Sequence, residues 1–339
     1  MIRKNICWLL AVIFLISIAF AFGCETASKE TGKTQGGDEK PIELKFTTVT
    51  ATLHPDYKTL EAWAEEVNKR TDGRVEITLY PTNTLNPPPE TYNTIKSGMA
   101  DIGMAPVGYS ASIMPLSKLF GDAMVGVSSA KEAAELWCAA YKNLPELQEE
   151  FKDIHVLWLY ATTPMSLGTS GIKITKLEDF NGVVLRMPPG MEPLAVAWGA
   201  SPINLPIGEI YEAMEKNVVN GFYGGAEMLD AMKLAELTDY VVTNLDMVCG
   251  VNYAGMNRKV WESLPADVQE VFNELKDWVE PKMPEVFDQQ EEDALQKAIK
   301  EGCELVEIED AEKQRIYAVS APVIEEMAAD LEKDGLPAK

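Results

Sequence analysis

Residues 179–190 read DFNGVVLRMPPG and residues 198–221 read WGASPINLPIGEIYEAMEKNVVNG. The apolar run 183–187 is a short strand, and it stops where Pro188 and Pro189 can donate no ladder hydrogen bond. Arg186 stands at the end of Gly-Val-Val-Leu-Arg, so its head group emerges at the strand's carboxyl end, where open α/β sheets place their ligands. On the residues alone Arg186 has two readings: an anchor for an anion, or a surface arginine paired with a nearby acid such as Asp179.

Working outward, strand and helix patterns alternate along the whole chain, which predicts an α/β protein with largely parallel sheets. Residues 42–50 read as the first strand. Residues 55–70 carry apolar side chains at helical spacing (Tyr57, Leu60, Trp63, Ala64, Val67) and stop at Thr71-Asp72-Gly73. Residues 75–80 alternate as a second strand, and the prolines at 87–89 open a helix ended by Gly98. Ser129 caps a helix through about residue 142. Residues 101–105, 154–160 and 240–248 read as further strands. The stretch 259–300 is helix-rich and punctuated by Pro265, Pro281 and Pro284, before a strand at 304–308 and a last helix over 311–333.

The N-terminus has a different composition. Arg3 and Lys4 precede a run from Ile6 to Phe22 that is apolar except for Ser17, the pattern of a secretory signal peptide over residues 1–23. Two cleavage sites compete. Ala19-Phe20-Ala21 fits the ordinary small-x-small rule, whereas Ala21-Phe22-Gly23-Cys24 looks like a bacterial lipobox. Residues 24–41 hold almost nothing apolar and read as a tether, which favours acylation of Cys24. Loss of residues 1–23 removes Arg3 and Lys4 and no acid, so the net charge of −23 becomes −25. Such acidity repels nucleic acid and anionic membranes and leaves the lipid anchor as the expected membrane contact. The remaining cysteines, Cys138, Cys249 and Cys303, lack metal-ligand spacing; one disulfide and three buried thiols are both open.

Catalytic chemistry is hard to find. His54 and His155 are the only histidines, and neither has a second His or a Cys at ligand spacing, so no metal site is expected. No nucleophile elbow, phosphate loop or dinucleotide fingerprint appears, and no cofactor is expected. Gly-Phe-Tyr-Gly-Gly at 221–225 lacks the Lys and Ser/Thr of a phosphate loop. Glu65-Glu66 and Glu291-Glu292 read as solvated helix faces.

Residues 179–221 resemble the solute-binding proteins of tripartite ATP-independent periplasmic (TRAP) transporters. The arginine followed by x-Pro, the Gly-Ala and Pro-rich strand, and the Glu-Ile-Tyr-x-Ala-Met helix ending in a small-residue turn all stand in the family's order. Tyr57, Glu61 and Ala64, then Leu79-Tyr80-Pro81, Gly98-x-x-Asp101 and Leu264-Pro265-Ala266-Asp267 fall at its spacings, so the resemblance covers roughly residues 42–335. It implies a two-domain, periplasmic-binding-protein-like clamshell with crossing strands and a long C-terminal helix spanning both domains. Domain I would be 42–157 plus 243–258, and domain II 158–242 plus 259–308. The helix of 309–335 would pack on domain I.

The resemblance also implies a site. The family's arginine at the place of Arg186 grips the ligand's carboxylate, which a planar guanidinium does with two parallel hydrogen bonds. Other ligand-facing positions depart from the sialic-acid and dicarboxylate binders. Ser166 stands for a second arginine and Gly224 for an asparagine, while Val49, Pro88, Pro106 and Tyr109 replace polar wall residues. Tyr109 and Phe222 are open to either a pocket or a core role. One anchoring charge in an apolar wall implies a monocarboxylate with an apolar or aromatic body, ahead of dicarboxylates or sugar acids, because an unpaired buried charge is costly.

The expectation is an extracytoplasmic binding protein, not an enzyme, that captures a small organic acid and passes it to the small and large integral membrane subunits of a permease. The alternatives are a lipoprotein component of an ABC importer or a ligand-presenting sensor, an exported hydrolase or lyase, and an adhesive lipoprotein. Acylation makes one prediction. Cys24→Ser should leave the protein uncleaved or release it from the membrane fraction, and a wild-type protein already soluble with its N-terminus at Phe22 would refute the anchor.

Overall fold

The computed structural model describes residues 40–338 apart from Leu53 and Asn83, so the signal segment, Cys24 and most of the tether lie outside the described residues. The chain begins β1 (Ile42–Thr48), α1 (Pro55–Arg70), β2 (Val75–Tyr80), α2 (Thr91–Ser97), β3 (Ile102–Pro106), α3 (Pro115–Asp122), α4 (Ala130–Asn143), α5 (Pro145–Glu150) and β4 (Ile154–Pro164). It continues β5 (Ser166–Thr169), β6 (Val184–Met187), α6 (Glu192–Trp198), β7 (Ser201–Asn204), α7 (Ile210–Glu215), β8 (Gly221–Gly224), α8 (Met228–Ala231) and β9 (Tyr240–Val242). It ends β10 (Cys249–Asn257), α9 (Arg258–Ser263), α10 (Ala266–Val279), α11 (Lys282–Glu301), β11 (Glu304–Val306) and α12 (Asp310–Lys333).

Local chemistry sets these boundaries. Helices α1, α3, α5 and α6 each carry a proline in the first turn, where a missing N–H costs nothing. Pro265 and Pro281 sit at the N-caps of α10 and α11. The hydroxyl of Ser129 accepts from the Glu132 N–H at 3.1 Å and starts α4. Helix α11 stops at Gly302, whose φ of +103° an L side chain would rarely adopt.

Two sheets result, ordered β2-β1-β3-β10-β4 and β11-β9-β5-β8-β6-β7. The strands β1, β2 and β3 are parallel, and β10 runs antiparallel between β3 and β4. In the second sheet β6 is parallel to β7 and β8, while β5 runs antiparallel to β8 and β9. The sheets are therefore mixed rather than largely parallel. The reason is the crossings: a strand entering a sheet directly from the other one need not obey βαβ geometry. Only Met165 separates β4 from β5, and its N–H donates to the carbonyls of Met247 and Val248 on the return crossing, at 3.3 and 3.0 Å.

A strand expected over 240–248 is two features instead. Strand β9 ends at Val242, the chain then turns with Asp246 and Val248 at positive φ, and β10 begins at Cys249. Strand β10 was missed because Gly250, Asn252 and Gly255 break its apolar alternation. Gly255 is needed there, since a Cβ would lie 2.6 Å from Ile154 Cδ1 on β4.

Aromatic rings fill both faces of the first sheet. Trp63 and Trp158 meet at 4.9 Å between ring centroids against Phe46 and Phe272, and Trp137, Phe151 and Tyr253 pack on the opposite side. The second sheet buries Phe180, Trp198 and Tyr223 on one face and Phe222 on the other. Helix α11 touches β4 and α4 beside one sheet and α8 and β11 beside the other. Helix α12 also serves both. Ser320 accepts from Trp198 Nε1 at 2.8 Å, while Leu331 joins the cluster around Trp137. At 24 residues it is about 36 Å long, enough to reach both sheets rather than the first alone. Among the described residues no helix is long and apolar enough to cross a membrane.

The close pairing of β5 with β8 can be tested. A Cβ on Gly221 would lie 2.2 Å from the Gly168 carbonyl oxygen, whereas one on the exposed Gly108 would meet nothing within 4 Å. Gly221→Ala should therefore destabilise by about 1–3 kcal/mol or more. Gly108→Ala should stay within about 0.5 kcal/mol of wild type in denaturant titrations.

Candidate functional site

The segments past the carboxyl ends of β3 and β6 open on one cavity, which Arg186 itself does not line. The cavity, of about 370 Å³, is lined by Pro106 and Tyr109 past β3, by Met165 at the crossing, and by Pro188, Pro189 and Met191 past β6. Its wall is apolar apart from Lys118 and Asp122, which form an ion pair with each other on α3.

Arg186 sits on β6 between Ile203 of β7 and Phe222 of β8. It is only 6% exposed. Its Nε donates to the Leu205 carbonyl at 3.3 Å and its Nη1 reaches the Tyr223 carbonyl at 3.5 Å, both long contacts. No Asp or Glu of the described residues forms an ion pair with it. Burial alone pulls its pKa below the ordinary value. Asp179 is otherwise engaged, accepting from the Thr175 N–H and hydroxyl at 2.9 Å each and from the Lys176 N–H at 3.1 Å. The surface pairing is thus excluded, and a buried guanidinium stands without a counter-charge.

Ser166 and Gly224 join Arg186. They face each other across the β5–β8 pair, and a Cβ on Gly224 would come 3.9 Å from Arg186 Nη1. Ser166 is 2% exposed and its hydroxyl has no hydrogen-bond partner. Pro106 and Tyr109 line the cavity, with Tyr109 46% exposed. Val49 and Pro88 lie past the ends of β1 and β2 and are half-buried. Val49 packs against the Tyr92 cluster, and neither residue lines that cavity. Phe222 is a core residue. It is wholly buried, with its ring over Gly168, where a Cβ would be 2.4 Å away.

The other candidates resolve structurally. The His155 ring stacks on Trp261 at 3.8 Å, and burial, with Arg258 and Lys276 nearby, pulls its pKa to about 4. Cys138, Cys249 and Cys303 are all free thiols, and burial pushes the first two up to about 12. Among the described residues no group of three or more potential ligands could hold a metal ion.

One acid, Glu227, went unread in the sequence, and another differs from its expected exposure. Glu291 is not on a solvated face; it is half-buried, while Glu292 is exposed. Burial, with the charge of Glu227 adding to it, pushes Glu291 up to about 7 despite a hydrogen bond from Thr163. Glu227, just past β8, is also raised by burial, against the opposing help of its own backbone N–H and of His54. His54 stands on the β1–α1 connection, bonded to Asp56 and near Gln290. The Gly-Gly before Glu227 was the available signal, because two glycines leave room for a folded-back side chain.

Comparison with known proteins agrees with this architecture. The model for DctP, the bacterial extracellular solute-binding protein family 7, matches residues 46–331. The C4-dicarboxylate-binding periplasmic protein DctP of Rhodobacter capsulatus is 25% identical over 307 residues, covering 85% of this chain and 87% of its own. A TRAP periplasmic solute-binding protein from Desulfovibrio salexigens superposes with a TM-score of 0.79 at 28% identity, covering 88% of this chain and 92% of its own; the C-terminus of a symmetry mate is bound in its ligand-binding site. A TRAP protein of an unidentified marine microbe, specific for aromatic acid ligands and bound to metahydroxyphenylacetate, gives a TM-score of 0.77 at 20% identity, over 88% and 95% of the two chains. The chain, with its two mixed sheets, double crossing and buried strand-end arginine, belongs to family 7 of the bacterial extracellular solute-binding proteins, the TRAP solute-binding proteins.

Proposed function

We propose that this chain is a receptor rather than an enzyme, held outside the cytoplasmic membrane through Cys24, that captures a small monocarboxylate at Arg186 and delivers it to the small and large membrane subunits of a TRAP permease. The observation that carries the reading is the Arg186 guanidinium, 6% exposed and without a carboxylate partner. A buried unpaired charge is costly, and a bidentate carboxylate from solution removes that cost. Ser166, with its unpartnered hydroxyl, supplies a further hydrogen bond beside it.

The ligand's body follows from the wall. Pro106, Tyr109, Pro188, Pro189 and Met191 offer contact area and few polar partners, so a polyhydroxylated acid would lose hydrogen bonds there. An apolar or aromatic tail would instead gain roughly 25 cal/mol for each Å² buried. An aromatic or branched amino or oxo acid fits both ends. The aromatic ligand of the marine relative and the peptide C-terminus in the Desulfovibrio salexigens site support the two halves of this reading.

Arg186→Lys should weaken binding nearly as much as Arg186→Ala, because a point charge cannot make the paired contact. Both should cost at least about tenfold in affinity by calorimetry. Unchanged affinity in Arg186→Ala would remove the assignment.

The division at the crossings, with 42–157 plus 243–258 against 158–242 plus 259–308, makes the two halves the jaws of a hinge. The segment 243–248 is a natural hinge element, as Asp246 and Val248 already hold positive φ. Small-angle scattering should show a smaller radius of gyration when ligand is added. An identical profile at saturation would exclude closure.

A further inference from the structure

Helix α3 ends in a charged pair that helix stability does not explain. Lys118 and Asp122 are spaced i, i+4 with the cation first and the acid last. That is the weaker order for such a pair, and it sets a carboxylate at the negative end of the helix dipole. The pair is not a solvated one either, since its side chains are 24% and 9% exposed. Taking both charges out of water is costly, and one direct contact recovers only part of the cost. Both residues line the cavity of about 370 Å³ past β3 and β6, and they are the only charged residues in its wall. A Cβ on Gly190 would lie 3.9 Å from Lys118 Nζ, so the ammonium reaches from α3 to the segment past β6.

Each partner keeps hydrogen-bonding capacity in reserve. The ammonium has three N–H donors, and among the described residues it uses one, on Asp122 Oδ2. Asp122 accepts that bond and no other, which leaves its Oδ1 without a donor. Burial holds the Asp122 carboxyl above its ordinary range against the pull of Lys118, as befits a carboxylate short of donors. Around the pair stand the apolar side chains of Pro106, Met165, Pro188, Pro189 and Met191.

A spare donor beside a spare acceptor matches a group that accepts and donates at one atom. We propose that Lys118 and Asp122 are the specificity-determining pair of this cavity and receive a hydroxyl group carried on the apolar body of the ligand. Lys118 donates to the hydroxyl oxygen, and the hydroxyl proton goes to Asp122. The inference rests on the reading that a small acid occupies the cavity; it names a further group on that acid and does not depend on where the carboxylate is held. Other substituents serve one partner only. An ether or oxo oxygen accepts from Lys118 and leaves Asp122 without a donor. An ammonium donates to Asp122 and meets Lys118 as a like charge. A second carboxylate gains Lys118 and faces Asp122.

Calorimetry on the mature wild-type protein tests this with phenylacetate and L-phenylalanine, each unsubstituted and with a hydroxyl at the ortho, meta or para ring position. The set carries the hydroxyl to a range of distances from the carboxylate. At least one hydroxylated acid is expected to bind at least about tenfold more tightly than its parent. Its methoxy counterpart, which accepts but cannot donate, should lose that gain. The double variant Lys118→Met with Asp122→Leu replaces the pair by apolar side chains, an exchange that buried ion pairs often tolerate. It should cut the ratio of hydroxylated to parent affinity by at least about tenfold, and Asp122→Asn, which retains an acceptor, should keep part of it. The proposal is overturned if no hydroxylated acid outbinds its parent, or if the methoxy acid binds as tightly as the hydroxylated one. It is equally overturned if the double variant weakens parent and hydroxylated acids by the same factor, as a purely structural pair would. Parents that bind with no hydroxyl preference remove this proposal and leave the small-acid reading standing. Failure of every acid in the set to bind removes the aromatic reading of the ligand and this proposal with it.

Discussion

An arginine buried without an acid organises this molecule. Taking a guanidinium out of water costs several kcal/mol unless something returns the lost hydrogen bonds and charge. Here only two long contacts to the carbonyls of Leu205 and Tyr223 do so. Both carbonyls belong to segments flanking β6, at the end of β7 and on β8, so the sheet that buries the charge also aims it. On the proposed reading that deficit is what gives the site its affinity. Folding leaves a cation poorly satisfied, and an anion from outside would complete it.

The rest of the second sheet makes that placement possible. Strand β8 lies tight against β5 because Gly168 and Gly221 present no side chains to each other's strand, and Phe222 fills the space over Gly168. Gly224 then admits the Met228 sulfur beside the guanidinium, and Gly225 leaves a seat for Glu227. A run of small residues that looks featureless in sequence is thus a set of close approaches, each admitting a particular neighbour.

Much of this was legible in advance, and the limits are physical. Proline and glycine fix helix ends through local stereochemistry, so the starts of α1, α10 and α11 and the stop at Gly302 could be read directly. Arg186 could be read because an apolar strand running into two prolines puts it at the strand's carboxyl end. The mixed direction of the sheets could not be read from periodicity, since β5 and β8 are four residues each and Gly-rich, and β10 is interrupted by Gly250 and Gly255. Burial of a charge is a tertiary property. Glu291 and Glu292 are neighbours on one helix, yet one faces the cleft acids and the other solvent, and nothing in their spacing separates them. Phe222 was ambiguous because strand alternation gives two faces without saying which one the core takes.

The charge of the whole chain and that of Arg186 have opposite signs, and the contrast constrains how the proposed capture of an anion would work. At a net charge of −23 the distant field repels a carboxylate, so long-range steering cannot assist its arrival. Screening limits that repulsion to about 8 Å at physiological ionic strength, and Arg186 lies beneath the surface, where solvent screens it less. Attraction therefore begins only inside the cleft, at distances where hydrogen-bond geometry and wall chemistry act together. On the proposed reading, selection among anions then rests on Ser166 and Gly224 near the guanidinium and on the apolar wall of Tyr109 and the prolines.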